Sequence, residues 1–400
     1  MKYASIIPLI GGSTISMQNV LKKRPEFMLS WPDFGANDQH IVDYYNGEVP
    51  YYVNEGNGFP KLPQVEVVNT VCPCAGLSSL SPSASSDNAA NDWMITSSKY
   101  VLESLQPEVF WGENAPGLAS NIGKPVVKQL RKIAEQFGYT FSIYKTKSIL
   151  HGLGQIRNRT FYFFWKGHQV PRFEYIHRQH EDIQETIRNV ELRPDDPMNV
   201  PTNKLTPSDN PFYRYVLEEM CGGITHKEFM DTKIDRSQNA MDYIEWNGEN
   251  YKNVSKWMDT QGFSKLGDRC RNIHDKLAEG RNIMRKLVHF PKKTIGAFVG
   301  HMPHNLTHPD EDRFLTIREC LAIMKLPDDF ILQGGLKNLN HICQNVPVTT
   351  AMDMVEHVEK FVDGRLDNQM LDTNFLIQDN TNQKLIYDRG NSAQLDAFMV

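Results

Sequence analysis

Cys74 is the first residue whose type and position suggest chemistry. It lies in the segment Val71–Ser78, directly after an apolar run that predicts a buried strand. Ligands of open α/β sheets bind at the carboxyl ends of the strands, so a cysteine there is well placed to react. Its thiolate would be a nucleophile if the thiol pKa were lowered. An isolated cysteine in such a place is more often an inert buried side chain, so the interpretation depends on partners.

Two polar segments further along the chain could supply those partners. Glu113 follows the apolar run Val109–Gly112 and would lie at the same edge of the sheet as Cys74. A buried carboxyl there can hydrogen-bond a base and exchange a proton. Arg157 and Arg159 are spaced i and i+2, so in an extended segment they point the same way and can converge on a phosphate or a carbonyl. Taken alone, the glutamate also fits a solvated loop acid, and the arginines also fit surface cations.

In this order, the segments resemble motifs of the cytosine-C5 DNA methyltransferase family, and later blocks extend the resemblance over nearly the whole chain. The matching blocks are, in chain order, Pro73-Cys74-Ala75 for the family's Pro-Cys-Gln, Glu113-Asn114-Ala115 for Glu-Asn-Val, Gln155, Arg157 and Arg159 for Gln-x-Arg-x-Arg, Arg313 to Glu319 for Arg-x-Leu-Thr-x-Arg-Glu, Pro327 to Phe330 for Pro-Asp-x-Phe, and Asn345-Val346-Pro347 for the end of Gly-Asn-x-Val-Pro. The stretch between 166 and 312 corresponds to the family's variable target-recognition region.

The resemblance implies a covalent reaction on a cytosine that has been turned out of the DNA duplex. Cys74 would add to C6 of the base, and Glu113 would hold the N3 and N4 edge. Arg157 and Arg159 would stabilise the base O2 or an adjacent phosphate and lower the thiol pKa. Three further residues are expected to contact the base: Pro73, Asn114 and Gln155.

The cofactor region departs from the family pattern. The family's Phe-x-Gly-x-Gly-Gly is replaced by residues 7–12, of which Gly11 and Gly12 still allow a tight turn that approaches a ligand closely. The acid that ends the family's next strand would fall at Ala36, with Asp33 and Asp38 nearby as substitutes. The resemblance implies that S-adenosyl-L-methionine, or a modified analogue, is the cofactor. Its expected contacts are Ile7, Ile10, Gly11, Gly12, Asp33, Asp38, Gln344 and Asn345.

These departures leave several alternatives open. One is a sulfonium cofactor that carries a group other than methyl, such as carboxymethyl. A second is a DNA-binding protein that kept the scaffold and lost the cofactor. A third is methylation of tRNA cytosine by the same thiolate chemistry. His301, His304 and His308 could also be metal ligands, but the prolines around them predict a loop, and no cysteine or acid has zinc spacing, so no metal is expected.

Apolar runs alternate with amphipathic stretches in the first 165 residues. This pattern predicts an α/β fold with a mostly parallel sheet, whose strands and helices would position the residues named above. Strands are expected at Ser5–Ile10, Val65–Val71, Val109–Gly112, Phe141–Lys145 and Thr160–Trp165. Helices are expected at Lys124–Phe137, Leu315–Met324 and Thr349–Val362. The resemblance implies a Rossmann-like, S-adenosylmethionine-dependent methyltransferase sheet. Its catalytic lobe would be residues 1–165 completed by 336–400, with a smaller, irregular target-recognition lobe and hinge at 166–335.

Charge and composition point to the same partner. The net charge of −5 argues against a uniformly basic surface, but residues 251–300 carry eleven Lys or Arg and four acids, a net +7 that leaves −12 elsewhere. This window is expected to meet the phosphates of double-stranded DNA first. The scattered cysteines are typical of a reducing cytoplasm, here of a bacterial or phage-infected cell, and the apolar run Tyr3–Ile10 is too short to cross a bilayer. The resemblance implies a monomer; it leaves open whether its role is in restriction-modification or in a mobile element.

Overall fold

The chain forms two compact units. The computed structural model describes residues 1–56, 61–73, 76–78, 84–234, 236–285 and 287–387. Unit 1 comprises residues 1–180, 324–326 and 344–400, and unit 2 comprises 181–323 and 327–343. The sequence-based division placed the corresponding boundaries at 165 and 336. Cys74 and Ala75 lie outside the described residues.

Unit 1 is built on a large sheet. The strands are β1 (Tyr3–Ile6), β2 (Phe27–Ser30), β3 (Tyr51–Val53), β4 (Val67–Val71), β5 (Val109–Asn114), β6 (Tyr139–Lys147), β7 (Asn158–Lys166), β8 (Val170–Pro171), β9 (Met370–Leu371), β10 (Phe375–Asp379) and β11 (Lys384–Tyr387). Nine of them form one sheet with the order β11-β10-β6-β7-β5-β4-β1-β2-β3, and β8 pairs with β9. Strand β7 is antiparallel to β5 and β6, and β11 is antiparallel to β10, while the other neighbours in the large sheet are parallel.

The expected strands are present because their apolar runs are long enough to be buried on both faces of a parallel sheet. Every residue of β4 and β5 is buried. One expected strand end was wrong, because β1 stops at Ile6 and not at Ile10. Ile7 and Leu9 have φ angles of 48° and 49°, which belong to the left-handed region and end the extended backbone.

Helices cover the sheet in unit 1 and make up most of unit 2. They are α1 (Gly12–Leu21), α2 (Gly35–Tyr44), α3 (Asp92–Tyr100), α4 (Lys124–Phe137), α5 (Ile183–Arg188), α6 (Pro211–Tyr215), α7 (His226–Thr232), α8 (Ala240–Trp246), α9 (Tyr251–Thr260), α10 (Ser264–Ala278), α11 (Ile317–Ile323), α12 (Leu339–Gln344) and α13 (Val348–Val362). Helix α4 has the expected bounds, and Gly138 caps it with φ 76°. Helix α11 begins at a capping box, in which Thr316 and Glu319 bond each other's backbone N–H groups.

Unit 2 has its own aromatic core. The rings of Tyr213 and Phe290 lie 5.3 Å apart, and those of Phe229 and Phe290 lie 5.0 Å apart. Residues 213–300 are more helical than the sequence predicted, because Thr225, Asn239 and Asn250 each cap the first turn of a helix with a side-chain oxygen. Within the described residues, no helix is both long enough and apolar enough to span a membrane.

Candidate active site

The carboxyl ends of β4 and β5 bring the two main candidate segments to one edge of the sheet. The strands are parallel neighbours, and Val71 is paired with Glu113. The chain that leaves β4 runs through Cys72 and Pro73 toward Cys74, while β5 ends one residue after Glu113. Ligands bind at this edge in open α/β sheets.

Both flanks of the pair 74–75 contact β5 or the segment that follows it. On one side, Nδ2 of Asn114, the last residue of β5, donates a hydrogen bond of 3.5 Å to the Cys72 carbonyl oxygen. On the other side, the segment after β5 packs so closely that a Cβ atom on Gly117 would lie 2.2 Å from the Leu77 carbonyl oxygen, so this position requires glycine. The described parts of the Cys74 segment are therefore held against the end of the strand that carries Glu113 and the segment after it.

Glu113 is a buried carboxyl in contact with an arginine. Its side chain forms an ion pair with Nε of Arg159. Burial raises the pKa of Glu113 above its ordinary range, and the charges of Arg159 and Arg157 offset part of that rise. A carboxyl of this kind holds a proton at higher pH than a solvated glutamate does, so it can donate that proton to a base.

The two arginines occupy different environments. Arg159 is paired with Thr146 within β7, and it is the arginine that touches Glu113. Arg157 precedes the strand and is fully buried, and its Nη2 donates a 3.0 Å hydrogen bond to the backbone carbonyl of Asn345. The i, i+2 spacing therefore places one arginine at the carboxyl and ties the other to the opposite side of the site.

The remaining base-side candidates are mostly engaged with the protein. Asn114 is buried, and its Nδ2 also donates to the sulfur of Met94 at 3.2 Å. Gln155 is buried, and its Nε2 donates to the sulfur of Met324 at 3.5 Å. Pro73 is half-buried. Asn114 and Gln155 thus form hydrogen bonds within the protein and hold neighbouring segments of the site together.

Cys72 is the nearest described cysteine to Cys74, and its surroundings make it unreactive. Burial raises the pKa of its thiol, which the hydroxyls of Ser97, Thr70 and Tyr162 only partly offset. The Tyr162 hydroxyl donates to Cys72 Sγ at 3.8 Å. Tyr162 was not anticipated from the sequence. The signal for it is Gly112 on the neighbouring strand, where a Cβ atom would lie 2.4 Å from the Tyr162 hydroxyl.

The turn from Ile7 to Gly12 has most of its amides bonded within the protein. Ile7 N donates to the Leu29 carbonyl at 2.9 Å, and Gly11 N donates to the Pro8 carbonyl at 3.0 Å. Gly12 N donates to Asn345 Oδ1 at 2.9 Å. Ile10 is a fully buried side chain in this turn. A Cβ atom on Gly11 would lie 2.5 Å from Ile41. At this position, the glycine therefore makes room for another side chain of the protein.

Asp38 braces this turn. Leu9 N donates to Asp38 Oδ1 at 2.8 Å, and the Tyr51 hydroxyl donates to Asp38 Oδ2 at 3.0 Å. Burial raises the pKa of Asp38 to about 7, against the lowering effect of these hydrogen bonds. Both carboxylate oxygens of Asp38 are engaged by the protein, and Asp33 is exposed.

The position expected for the family's strand-end acid was wrong. Ala36 lies inside α2, whereas the strand ends at Ser30. Ser30 is fully buried and is followed by Trp31, whose ring lies 5.6 Å from that of Trp93. The side chain at the strand end is therefore a hydroxyl, and the nearest acid that reaches the turn comes from α2.

Asn345 bonds the glycine turn, and Gln344 bonds helix α2. Asn37 Nδ2 donates to Gln344 Oε1 at 3.1 Å. Asn345 is buried, and its Nδ2 has no hydrogen-bond partner among the described residues although Oδ1 bonds Gly12. A buried amide without an acceptor, bonded to a glycine turn, fits a nucleoside sulfonium with polar groups of its own.

A buried polar cluster that the sequence did not indicate lies behind the arginine segment. His151 Nδ1 is 2.7 Å from Asp353 Oδ2, and its Nε2 is 2.6 Å from Thr146 Oγ1. Arg178 pairs with the other Asp353 oxygen, and Asn380 Nδ2 donates to Thr146 at 3.1 Å. The cluster joins β6 and α13, so it fixes the loop that leads to Arg157.

The three histidines considered as metal ligands have separate partners. The His301 ring packs 5.3 Å from the ring of His289, and His304 Nδ1 lies 3.2 Å from a backbone carbonyl oxygen. His308 Nδ1 accepts from the Asp310 amide at 3.2 Å. Across the described part of the chain, no group of three or more His, Cys, Asp or Glu side chains could hold a metal ion.

Comparison with known proteins agrees with this geometry. The family model described as C-5 cytosine-specific DNA methylase matches residues 37–360. A solved structure from an E. coli prophage, described as a DNA modification methyltransferase, is 16% identical, covers 91% of this chain and 99% of its own, and has a TM-score of 0.53. The Entamoeba histolytica methyltransferase EhMeth is 11% identical, covers 90% of this chain and 98% of its own, and also has a TM-score of 0.53. No curated protein sequence matches the chain. The structural similarities establish the expected α/β fold with its large, mostly parallel sheet.

Proposed function

We propose a specific reaction for this chain, which belongs to the C-5 cytosine-specific DNA methylase family and is therefore a DNA (cytosine-5-)-methyltransferase. It transfers a methyl group from S-adenosyl-L-methionine to C5 of a cytosine flipped out of DNA, through a covalent bond between Cys74 and C6. The observation that carries the proposal is the buried pair of Glu113 and Arg159, beside which both described flanks of the Cys74 segment are held.

Covalent addition is needed because C5 of cytosine is a weak nucleophile in an aromatic ring. Cys74 adds to C6 as a thiolate, which breaks the aromaticity and makes C5 an enamine carbon. After C5 has been alkylated, its proton passes to solvent and the bond between C6 and sulfur breaks, so that Cys74 leaves as a thiolate. The proton on N3 returns to Glu113, and the aromatic ring is restored. The raised thiol pKa of Cys72 supports the choice of Cys74 over its neighbour.

Glu113 assists the addition by protonation. Its carboxyl, with a pKa raised by burial, donates a proton to N3 and accepts a hydrogen bond from the N4 amino group. Protonation at N3 draws electron density from C6 and so favours thiolate attack. Arg159, which is released from Glu113 as the base binds, donates to the base O2. Arg157 supports this arrangement from behind through its bond to Asn345.

The cofactor would be held by the glycine turn, Trp31 and Asn345, with Gln344 beside them. When bound, S-adenosyl-L-methionine supplies an electrophilic methyl group for C5. Asn345 Nδ2 offers a buried hydrogen-bond donor that no described side chain occupies. Asp38 acts on the cofactor indirectly, because it holds the turn through Leu9 N.

Unit 2 would contact the DNA backbone. Lys252, Lys256 and Lys265 are exposed on α9 and at the start of α10, within the basic window. Other cations of that window are engaged, as Arg271 is with Asp259 and Asp268. Exposed lysines give sequence-independent phosphate contacts, while base reading belongs to the rest of the unit.

The experiment measures the product. Purified protein is incubated with cytosine-containing duplex DNA and S-adenosyl-L-methionine. The DNA is then digested to nucleosides, and their masses are measured by mass spectrometry. A second assay traps the protein on DNA that carries 5-fluorocytosine. Fluorine replaces the C5 proton that must leave before the thiolate can, so the adduct persists once C5 has been alkylated. Cys74→Ala is compared with Cys72→Ala, a matched removal of a thiol two residues away.

Wild type and Cys72→Ala should give a methyl increment on deoxycytidine and a trapped complex, and Cys74→Ala should give neither. Trapping without a methyl increment would contradict the proposed cofactor and point to a sulfonium with a different group. Neither product nor trapping with wild type would refute the proposed reaction.

A further inference from the structure

The hairpin between β6 and β7 carries Arg157 and Arg159, and its tip contains a buried histidine. His151 is 2% exposed and ends a short 3-10 turn, Ser148–His151, that directly follows β6. Ser148 N donates to the Arg157 carbonyl oxygen at 2.9 Å, and Leu153 N donates to the Ser148 carbonyl oxygen at 3.3 Å. The turn and the segment that leads to the arginines therefore form one hydrogen-bonded tip.

Both ring nitrogens of His151 have partners, on two different elements. Nδ1 lies 2.7 Å from Asp353 Oδ2 in α13, and Nε2 lies 2.6 Å from Thr146 Oγ1 in β6. A carboxylate can only accept, so in the neutral ring Nδ1 carries the proton and Nε2 accepts from the Thr146 hydroxyl. The Thr146 oxygen in turn accepts from Asn380 Nδ2 at 3.1 Å. A buried network whose members are satisfied in this way is rigid.

Helix α13 and the residues just before it hold the hairpin tip at two places. Asp353 bonds His151 at one of them, and its other carboxylate oxygen pairs with Arg178. At the other place, the Asn345 carbonyl oxygen accepts from Arg157 Nη2 at 3.0 Å. Asp353 is 1% exposed, and Arg178 compensates its charge, so the carboxylate is available as a buried acceptor for the histidine.

The position of the hairpin tip matters for the electrostatics of Glu113. Arg159 forms an ion pair with Glu113, and the charges of Arg159 and Arg157 lower a carboxyl pKa that burial has raised. The thiol of Cys72 and the hydroxyl of Tyr162 also face Glu113, but burial raises the pKa of both groups, so they are neutral near pH 7. Movement of the arginines away from Glu113 would therefore change how readily it holds its proton.

We propose that His151 is a positioning residue for the reaction on cytosine. Through its bond to Asp353 it fastens the hairpin tip to α13, and it thereby keeps the two arginines beside Glu113. The inference rests on the proposed function, because it concerns the same site. His151 acts through the geometry of these groups and does not touch the base, and a misplacement of about 1 Å can cost about 100-fold in rate.

The test compares two substitutions that keep different halves of the imidazole. In His151→Asn, the amide nitrogen takes the place of Nδ1 and can still donate to Asp353, whereas in His151→Gln it takes the place of Nε2 and reaches Thr146 instead. The matched control is His357→Gln, because His357 is also a buried histidine of α13, and its ring packs 4.3 Å from that of Phe173.

The measured reaction is the exchange of the C5 proton of cytosine with solvent in the absence of cofactor, between pH 5 and 9. Exchange needs only reversible addition of Cys74 to C6, which makes C5 basic enough to take up a solvent proton. At limiting DNA, the pH profile reports groups of the free enzyme. Thermal unfolding of each variant reports its stability separately.

His151→Gln should lower the exchange rate by about 10- to 100-fold. It should also move the alkaline fall of the rate to higher pH, because displaced arginines lower the pKa of Glu113 less. His151→Asn should keep the wild-type pH profile although its smaller side chain leaves a cavity and lowers stability. His357→Gln should lower stability and leave the pH profile unchanged.

Asp353→Asn removes the acceptor of the same bond and should move the alkaline fall in the same direction as His151→Gln, which keeps the test valid if one of the two variants does not fold. A wild-type rate in His151→Gln, or a lower rate without a shift of the alkaline fall, would overturn the inference. Absence of C5 proton exchange in the wild type would instead refute the proposed function on which the inference rests.

Discussion

The base side and the cofactor side of the sheet edge satisfy their polar groups in different ways. On the base side, Glu113 is buried with a raised pKa and contacts Arg159. On the cofactor side, Asp38 Oδ1 and Asn345 Oδ1 accept from the amides of Leu9 and Gly12, while Asn345 Nδ2 has no hydrogen-bond partner among the described residues. The side chains of the first side are therefore paired with each other, and those of the second are bonded mainly to the backbone of the turn.

The family match covers residues 37–360, which include Glu113 and Arg159 on the base side and Asp38 and Asn345 on the cofactor side. It begins after the glycine turn and after the end of β2 at Ser30. The proposed function assigns the attack on cytosine to the base side and the binding of the methyl donor to the cofactor side. From this difference we expect adduct formation and group transfer to be separable by mutation.

The largest expected effect comes from Glu113→Gln. Loss of the proton donor should slow adduct formation by about 10²–10⁴-fold, which is the usual contribution of general acid catalysis. Because burial raises the pKa of Glu113, the wild-type rate should rise with thiolate formation and then fall as pH passes above that raised pKa. Glu113→Gln should lack the alkaline fall. The rate of trapping on 5-fluorocytosine DNA between pH 5 and 9 measures both.

The matched control for that prediction is Glu108→Gln, which removes a half-exposed carboxyl directly before the start of the same strand. It should leave both the rate and the pH profile unchanged. A similar pH profile for Glu113→Gln and wild type would show that another group donates the proton. The base side would then not be distinguished from the cofactor side by a catalytic carboxyl.

Asp38→Asn should act on the cofactor side alone. The pKa of Asp38 is raised from 3.8 to about 7, so between these values the native state keeps a proton that the unfolded state has lost. Stability must then fall as pH rises through this window, by about 4 kcal/mol in total, and stay low above pH 7. The asparagine variant still accepts from Leu9 N and should lack this fall. Thermal unfolding from pH 4 to 8 measures the difference.

Asp33→Asn is the control, because Asp33 is an exposed carboxyl five residues away. It should keep the wild-type pH dependence. Asp38→Asn should also exchange the C5 proton of cytosine with solvent at the wild-type rate when no cofactor is present, because that exchange needs only addition of Cys74, and Asp38 touches the turn and not Glu113. A parallel loss of this exchange in Asp38→Asn would mean that the two sides are coupled.

The sequence predicted the base side better than the cofactor side for a physical reason. The strands that carry Glu113 and Arg159 are continuous apolar runs, and α4 has apolar residues at helical spacing with Gly138 after it, so local pattern suffices. Ile7 and Leu9 are also apolar, yet both have positive φ angles, in a turn whose amides bond distant residues: Leu9 N donates to Asp38, which lies 29 residues away. The local pattern of apolar residues therefore predicted a strand that extends beyond the observed end of β1.

The misplaced strand-end acid and the unexpected histidine cluster have different causes. Pro32 directly after Trp31 was a usable signal that β2 ends there, because proline cannot continue a central strand. The expected position at Ala36 lies four residues beyond this proline, inside α2. No comparable signal could pair His151 with Asp353, since they lie 202 residues apart and meet only in the folded chain.

The smallest expected effect tests whether DNA binding by unit 2 is independent of both sides of the site. Lys252 and Lys256 lie one helical turn apart on α9 and are exposed. Replacing both by glutamine should weaken DNA binding severalfold and reduce the slope of log K against log salt by up to about 1.8, since each phosphate contact contributes about 0.9. Fluorescence anisotropy at several salt concentrations measures the slope. Lys22→Gln with Lys23→Gln, an exposed pair in unit 1, is the matched control and should leave the slope unchanged.

The same lysine variant also shows how much a loss of DNA binding alone changes the rates of adduct formation and methyl transfer. Because phosphate contacts act before either chemical step, adduct formation and methyl transfer at limiting DNA should fall by the same factor and recover together at saturating DNA. An unequal fall would mean that α9 influences one side of the site. In that case, the effects of Glu113→Gln and Asp38→Asn could not be assigned to the base side and the cofactor side separately.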